Sequence, residues 1–142
     1  MRSLLLLTLC AFPLLAAEPV ADDRATKDDY AFDTSGTTTT LKKGASGPFS
    51  LVITPKNGKK VHPDAPLEIA FVDNASVKPA KQKLGRGDLK EKGAPAPHAT
   101  TTLQATKAGT TTLQVNVSFF LCTDAWCQRM TDRVELPITV EE

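Results

Sequence analysis

The sequence predicts an all-β protein, a single antiparallel β-sandwich of immunoglobulin-like type with roughly six to eight strands. Three observations predict it. Apolar and polar residues alternate with period two in successive segments, which gives each strand one buried and one exposed face. Gly, Pro and Asn separate these segments, and none of them carries an apolar stripe at helical spacing. The length of 142 residues suits one domain better than two.

The chain begins with the three parts of a secretory signal peptide. Arg2 is followed by an apolar run over 4–15 and by the small residues Ala16 and Ala17. The run is too short to span a bilayer comfortably. We therefore expect a signal peptide over 1–17 and a periplasmic or secreted mature protein that is monomeric and does not span the membrane. Residues 18–36 are charged and lack periodicity, which predicts a flexible leader before a sandwich domain over 37–142.

The alternating segments define the expected strands. The Thr-rich end of the leader, continuing to Lys43, is expected to begin the first strand, because Thr favours strands. Residues 78–97 are rich in Gly, Pro and Lys, and predict a solvated loop around one short strand near 82–84. The clear alternations cover 49–54, 67–72, 102–106, 112–121 and 134–141.

Three local signals describe the connections. Asn57-Gly58 is a strong turn signal after the strand that contains Phe49. The segment 107–110 joins two alternating runs and predicts a tight hairpin. Pro137 points outward by the alternation and cannot donate to a neighbouring strand, which predicts that the last strand is an edge strand or is locally bulged.

The composition excludes several functions. A formal net charge of +1 gives no basic excess, and an aromatic content of 6% offers few stacking surfaces, so we expect no nucleic-acid partner. The sequence contains neither a Gly-x-Ser-x-Gly motif, nor a phosphate-binding Gly-rich loop, nor a His-Glu-x-x-His motif. We therefore expect no cofactor.

The cysteines carry the strongest chemical signal. Removal of 17 residues from 142 takes away Arg2 and Cys10, which leaves 125 residues with no formal net charge and the pair Cys122 and Cys127. An even pair in an exported protein is expected to form a disulfide. Cys122 ends the longest alternating segment, and four residues separate it from Cys127. Both cysteines therefore lie at one end of the sandwich and are the candidate catalytic residues.

Two functions fit this pair. A closed loop this short contributes about 2 kcal/mol in the chain-entropy model, so the bond is either a local staple or an exchange site. Exchange needs one exposed sulfur and a second thiol close by, and would make the protein a thiol:disulfide oxidoreductase. The staple belongs to a non-enzymatic exported binding or structural domain, in which the basic stretch 78–92 contacts an acidic partner.

A third interpretation is a soft metal site. Cys122 and Cys127 together with His62, His98 or Met130 would suit Cu(I). The spacing does not match a zinc ribbon, which keeps two to four residues between its ligand cysteines and repeats the pair. Neither histidine is close to the cysteines in the sequence.

Two groups of residues resemble a known family. The first group is the run over 47–63, followed by Ala65-Pro66-Leu67-Glu68-Ile69. The second group lies far downstream and consists of Phe119-Phe120-Leu121-Cys122 and then Cys127. In this order they resemble the N-terminal periplasmic domain of bacterial DsbD-type thiol:disulfide interchange proteins. The resemblance extends over roughly 43–140. The two cysteines of this chain are separated by one residue fewer than those of the best-known members of the family.

This resemblance implies an immunoglobulin-like fold in which Cys122 and Cys127 are the redox pair. Members of the family take electrons from a membrane domain and pass them to periplasmic proteins. The implied partner is therefore a periplasmic or membrane thiol-redox protein, and a stand-alone form would depend on a separate membrane protein for its reduction.

Overall fold

The computed structural model describes residues 24–142. The expected signal peptide and residues 18–23 of the expected leader lie outside the described residues. Short 3₁₀ turns occupy Lys27–Asp29 and Arg86–Asp88. The strands in chain order are β1 (Tyr30–Asp33), β2 (Thr40–Lys42), β3 (Ser46–Pro55), β4 (Lys60–Val61), β5 (Glu68–Phe71), β6 (Val77–Pro79), β7 (Lys83–Leu84), β8 (His98–Ala105), β9 (Gly109–Cys122) and β10 (Cys127–Glu141).

The strands form two sheets that enclose one core. One sheet has the order β1-β3-β8-β6, and the other has the order β2-β10-β9-β5-β7 with β4 also paired to β9. Alternate side chains of both sheets face inward and include the fully buried Phe49, Leu103, Val115 and Phe119. The predicted immunoglobulin-like β-sandwich is confirmed. One pairing departs from the expected antiparallel arrangement, because β2 runs parallel to the end of β10.

The long hairpin of β9 and β10 determines where the cysteines lie. Its pairing runs from Gly109 opposite Val140 to Cys122 opposite Cys127. The inward residues of β9, from Leu113 to Leu121 at every second position, are fully buried. The hairpin is therefore anchored in the core along its length, and its closed end projects at one end of the sandwich.

The N-terminal segment differs from the expected flexible leader. Within the described part of that segment, Tyr30–Asp33 forms β1 and pairs antiparallel with the end of β3. Tyr30 is buried and packs edge-to-face on Phe119, with ring centroids 5.1 Å apart. The spacing of Tyr30 and Phe32 is itself a short period-two signal, which the surrounding charged residues obscure.

The hairpin predicted over 107–110 is wrong. The strand before it, β8, pairs with β3 and β6, whereas β9 pairs with β10, β5 and β4 in the other sheet. The connection therefore crosses between sheets. The connection is held by the segment before β6, because the Thr106 N–H donates to the Ser76 carbonyl (2.8 Å) and the Thr106 hydroxyl donates to the Ala75 carbonyl (3.0 Å). Alternation shows which face of a strand is buried, but it does not show which strand pairs with it.

Other local predictions agree with the structure. Asn57 and Gly58 both have positive φ, 53° and 72°, in a turn closed by the Lys59 N–H to the Lys56 carbonyl. The short strand expected near 82–84 is β7. Pro137 is exposed, and the side of β10 away from β9 is covered by β2 only from Thr139 onward. Pro137 thus lies at an edge, as its missing N–H requires.

A buried carboxylate fastens the N-terminal turn to the sandwich. Asp29 accepts hydrogen bonds from the Thr26 N–H (2.8 Å), from Asn57 Nδ2 (3.0 Å) and from Lys59 Nζ (3.0 Å). These donors, the Thr26 N–H first, hold the pKa of Asp29 well below its usual range. The carboxylate therefore links the residues before β1 to the turn between β3 and β4.

This network predicts how the stability of the protein depends on pH. A carboxylate with a lowered folded-state pKa stabilises the fold above its unfolded pKa of about 3.9, and this stabilisation is lost as the pH falls below that value. We expect Asp29→Asn to lower the free energy of unfolding at pH 7 and to flatten its decline in acid. Urea unfolding between pH 7 and pH 2 measures both effects, with the exposed Glu91→Gln as the matched control. If the free energy of unfolding of Asp29→Asn declined in acid as steeply as that of the wild type, Asp29 would not be the source of the pH dependence.

Candidate functional site at the Cys122–Cys127 disulfide

The two predicted site residues are joined across the end of the long hairpin. Cys122 is the last residue of β9 and Cys127 the first of β10, and they lie directly opposite each other. Their sulfurs are 2.02 Å apart and their Cα atoms 4.0 Å apart. Residues at non-hydrogen-bonded positions of antiparallel strands approach to about 4.5 Å, so the pairing itself brings the sulfurs together.

The residues between the cysteines form a closed loop. The Thr123 N–H donates to the Trp126 carbonyl (2.9 Å), while the Thr123 hydroxyl oxygen accepts from the N–H groups of Ala125 (3.2 Å) and Trp126 (3.3 Å). The half-buried Trp126 packs against the core. A side-chain oxygen that satisfies backbone donors is a common way to stabilise a turn. The loop thus fixes the two cysteines opposite each other.

The two cysteine residues differ in their exposure to solvent. Cys122 is only 8% exposed, whereas Cys127 is exposed. The topology explains the difference, because β9 lies between β10 and β4 at this level, while no described strand covers the other side of β10 there. Cys127 is therefore the more open of the two cysteines to an incoming thiol, and Cys122 is the shielded partner.

Lys60 is a cross-strand neighbour of Cys122 that the sequence alone does not reveal. It lies opposite Cys122 in the pairing of β4 with β9, and cross-strand neighbours project from the same face of a sheet. Its ammonium group is 3.6 Å from the carboxylate of Asp124, and both side chains are largely exposed (75% and 100%). Such an ion pair is weak, but a cation beside a cysteine favours its thiolate form. The two-residue strand β4 carries no alternation by which sequence could have placed it beside β9.

The exposed cysteine opens onto a shallow depression. It is lined by Arg24, Trp126, Cys127 and Gln128, and its volume is about 560 Å³. The Gln128 side chain accepts from the Ala25 N–H (2.9 Å) and donates to the Ala25 carbonyl (3.3 Å), which closes the floor towards the core. The depression therefore leaves Cys127 open to solvent while sealing the sandwich beneath it.

Of the other proposed copper ligands, Met130 and His98 lie on other faces of the sandwich, whereas His62 follows β4 and its N–H donates to the Phe120 carbonyl of β9. Met130 is buried on the inward face of β10, whereas the cysteines lie on the outward face of that sheet. His98 lies on the other sheet and is 2.8 Å from the Ser50 hydroxyl. His62 Nδ1 accepts from the N–H groups of Asp64 and Ala65. Residues 24–142 contain no group of three or more His, Cys, Asp or Glu arranged to hold a metal ion.

Part of the basic stretch 78–92 is already paired. Lys81 forms an ion pair with Asp88 (2.7 Å), and Lys83 lies 3.9 Å from Glu68. The Arg86 guanidinium donates to the carbonyls of His62 and Ala65, and thus holds the loop between β4 and β5. Burial lowers the pKa of Arg86. Three of the six basic side chains in this stretch therefore have partners, and Arg86 is the one that links the stretch to a neighbouring loop.

No family model and no curated protein matches this chain. Solved structures to which this chain is similar include domains 4 and 5 of the S-layer protein SbsC, at 11% identity and a TM-score of 0.42, over 79% of this chain and 51% of that chain. They also include a cohesin module from the family 33 glycoside hydrolase of Clostridium perfringens, at 12% identity and a TM-score of 0.40, over 80% and 97%. A third is AggA, the major subunit of aggregative adherence fimbriae type I from Escherichia coli, at 13% identity and a TM-score of 0.42, over 82% and 99%.

At these identities and TM-scores the similarities support no conclusion about the fold or the activity of this chain. The fold and the site together define an immunoglobulin-like β-sandwich with a disulfide across the closed end of its longest hairpin. Within residues 24–142, no helix is long and apolar enough to cross a membrane.

The unequal exposure of the cysteines predicts unequal reactivity after reduction. We expect iodoacetamide to modify the free thiol of Cys122→Ser, which keeps Cys127, several times faster than the free thiol of Cys127→Ser, which keeps Cys122. Mass spectrometry at fixed pH gives both rates, and modification under denaturing conditions is the control for intrinsic thiol reactivity. Equal rates in the folded variants would contradict the assignment of Cys122 as the shielded sulfur.

Proposed function

We propose that this protein is an exported thiol–disulfide exchange module that resembles the N-terminal domain of DsbD-type interchange proteins. The observation that carries the proposal is the asymmetry of the bond, which joins the exposed Cys127 to the buried Cys122. Exchange needs one sulfur open to attack and a second held close to it. A staple needs neither exposure nor asymmetry.

The proposed reaction proceeds through a mixed disulfide. A thiolate of a dithiol partner attacks the Cys127 sulfur, the bond to Cys122 breaks, and Cys122 leaves as a thiolate. The second thiolate of the partner then attacks the partner's first sulfur, which is bonded to Cys127 in the mixed disulfide, and Cys127 is released as a thiolate. The partner dithiol is oxidised to a disulfide by two electrons, this protein is reduced to a dithiol, and the two protons pass from the partner thiols to the cysteines. The reverse sequence delivers the electrons to a second partner.

The scaffold suits a bond that opens and closes. The loop closed by the disulfide is short, so its loss costs about 2 kcal/mol in the chain-entropy model. The hairpin is held independently by backbone pairing along its whole length and by a row of fully buried residues. Lys60 lies opposite Cys122 in the sheet, and a cation brought close to that sulfur would favour the thiolate that leaves during reduction. The protein is therefore expected to stay folded in both redox states.

Export and partner choice follow from the same proposal. The expected signal peptide directs the protein to the periplasm or outside the cell, where a reduced thiol pair needs an external supply of electrons. A membrane thiol-redox protein is the expected donor, and a periplasmic thiol-redox protein is the expected acceptor.

A second candidate function is a non-enzymatic exported domain in which the disulfide pins the hairpin end. The observation that favours it is the direct cross-strand register of the two cysteines, which is also the geometry of a local staple. In that case the Cys122→Ser/Cys127→Ser double variant keeps full function and loses only modest stability. Loss of function with an intact fold would exclude this candidate.

Trapping of the mixed disulfide tests the exchange proposal. In the compartment where the protein resides, Cys122→Ser leaves the exposed Cys127 without its resolving partner, and we expect it to accumulate a covalent complex that a reductant releases. Cys127→Ser retains only the shielded Cys122 and should trap much less, and the double variant should trap nothing. Non-reducing gels and mass spectrometry report all three variants. The absence of any complex with either single variant would overturn the proposal.

A further inference from the structure

The strand that begins at Cys127 has an open edge beside the disulfide. β9 pairs with β10 along its whole length, whereas β2 covers the other side only from Thr139 to Glu141. On that other side the Thr139 N–H donates to the Thr39 carbonyl. Because backbone groups alternate in direction along a strand, odd-numbered residues of β10 direct their N–H and C=O groups to this edge. From 127 to 138, no described strand pairs with it.

The protection of this edge is uneven. At the far half, the Arg133 N–H donates to the carboxylate of Asp132 (2.8 Å), and Pro137 has no N–H. In the half next to the disulfide, the N–H groups of Cys127, Arg129 and Thr131 have no hydrogen-bond partner among the described residues. Unpaired edge groups of this kind are templates for an added strand.

An added strand suits disulfide exchange at Cys127. A residue paired with Cys127 across this edge occupies a hydrogen-bonded position, where Cα atoms lie about 5.5 Å apart, within the usual range for disulfides. Paired residues project from the same face, so a partner cysteine would stand on one side of Cys127 and Cys122 on the other. A thiolate displaces a sulfur from the side opposite the leaving group. The partner thiolate therefore approaches from the productive side.

The charges along the edge select the partner sequence. Arg129 and Arg133 are exposed on the outward face, where their Nε atoms donate to Ser118 Oγ (2.9 Å) and Asn116 Oδ1 (3.0 Å) of β9. In an antiparallel added strand, the residues opposite them come two and six positions before the partner cysteine. Acidic side chains at these positions would share the outward face with the two arginines and complement their charge, although both Nε atoms are bonded on the β9 side.

The inward side of the edge limits the size of the partner's other residues. Lys27 reaches Asp132 at 2.8 Å, and Gln128 is bonded to Ala25, so the segment before β1 closes the sandwich below the edge. Residues of an added strand that point inward meet this segment, which favours small side chains.

We infer that the redox partner docks by adding an extended strand to the edge of β10 at 127–131, with its cysteine opposite Cys127 and acidic residues opposite Arg129 and, past the backbone pairing, Arg133. This inference rests on the proposed exchange function and assigns the chemical class of its partner: an acidic, cysteine-containing extended segment.

A proline substitution at the edge provides the test. At position 131 a proline removes an N–H that points away from β9, as Pro137 does in the natural sequence, so the β9–β10 pairing is kept. The probe is the reduced peptide Glu-Thr-Thr-Thr-Glu-Thr-Cys, acetylated and amidated, and dithiothreitol is the reductant that needs no docking. We expect Thr131→Pro to slow mixed-disulfide formation with the peptide by about tenfold, since a hydrogen bond is lost and the ring blocks the edge. Thr131→Ala is the matched control and should react like the wild type.

A modified peptide gives a second test that does not alter the protein. N-methylation at the residue opposite Thr131 blocks an amide that faces β10, whereas N-methylation at the next residue blocks one that faces away. We expect only the first to slow the reaction with the wild-type protein.

The outcomes separate the docking mode from the exchange function. If dithiothreitol opens the bond but neither Thr131→Pro nor edge-facing N-methylation slows the peptide more than its control does, docking at the edge is overturned and the exchange function stands. Equal slowing of dithiothreitol and peptide by Thr131→Pro, without an effect of N-methylation, also overturns it. If neither reductant opens the bond in the folded wild type, the exchange function fails and the docking inference fails with it.

Discussion

The register of β9 against β10 is the constraint on which the rest of the structure depends. Because side chains alternate at every residue, a slip by one position would turn the buried row from Leu113 to Leu121 out to solvent. The burial of that row therefore fixes the register, and the register in turn places Cys122 opposite Cys127. The geometry of the disulfide is thus a consequence of core packing, and the bond need not impose it.

The reactivity of the site follows from sheet topology. The two cysteines are equivalent in their pairing, but at their level β9 has neighbours on both sides and β10 has one described neighbour. This difference buries one cysteine and exposes the other. The lack of a described strand on that side of β10 also leaves backbone N–H groups unpaired next to Cys127. The same feature therefore makes Cys127 accessible to a thiol and offers an edge to which a strand of the partner can pair. Exposed edges are usually blocked, and here the two blocked positions, Arg133 and Pro137, lie beyond the open N–H groups of Cys127, Arg129 and Thr131.

The sequence predicts the features that depend on local pattern. Period-two alternation identified the inward faces of the long strands, and the Asn57-Gly58 turn and the exposed Pro137 followed from backbone chemistry. The sequence did not predict which strands pair with each other. A short connection such as 106–108 can join two strands of the same sheet or two strands of different sheets, and the sequence pattern is the same in both cases. For the same reason Cys122 and Cys127 could be named, while Lys60, the open edge and the difference in exposure could not. β1 was missed because two aromatic residues within a charged segment give too short a pattern.

The reduction potential of the Cys122–Cys127 bond in the folded protein tests the central claim most directly. Equilibration with defined ratios of reduced and oxidised dithiothreitol or glutathione, followed by quenching and mass spectrometry, gives the value, and circular dichroism of the same samples reports the fold. Structural disulfides of exported proteins have potentials below about −300 mV. An exchange site on a scaffold that holds its hairpin by packing predicts a potential above that value, with the fold unchanged on reduction. A potential below it, or a bond that is reduced only when the protein unfolds, would show that the disulfide is a staple.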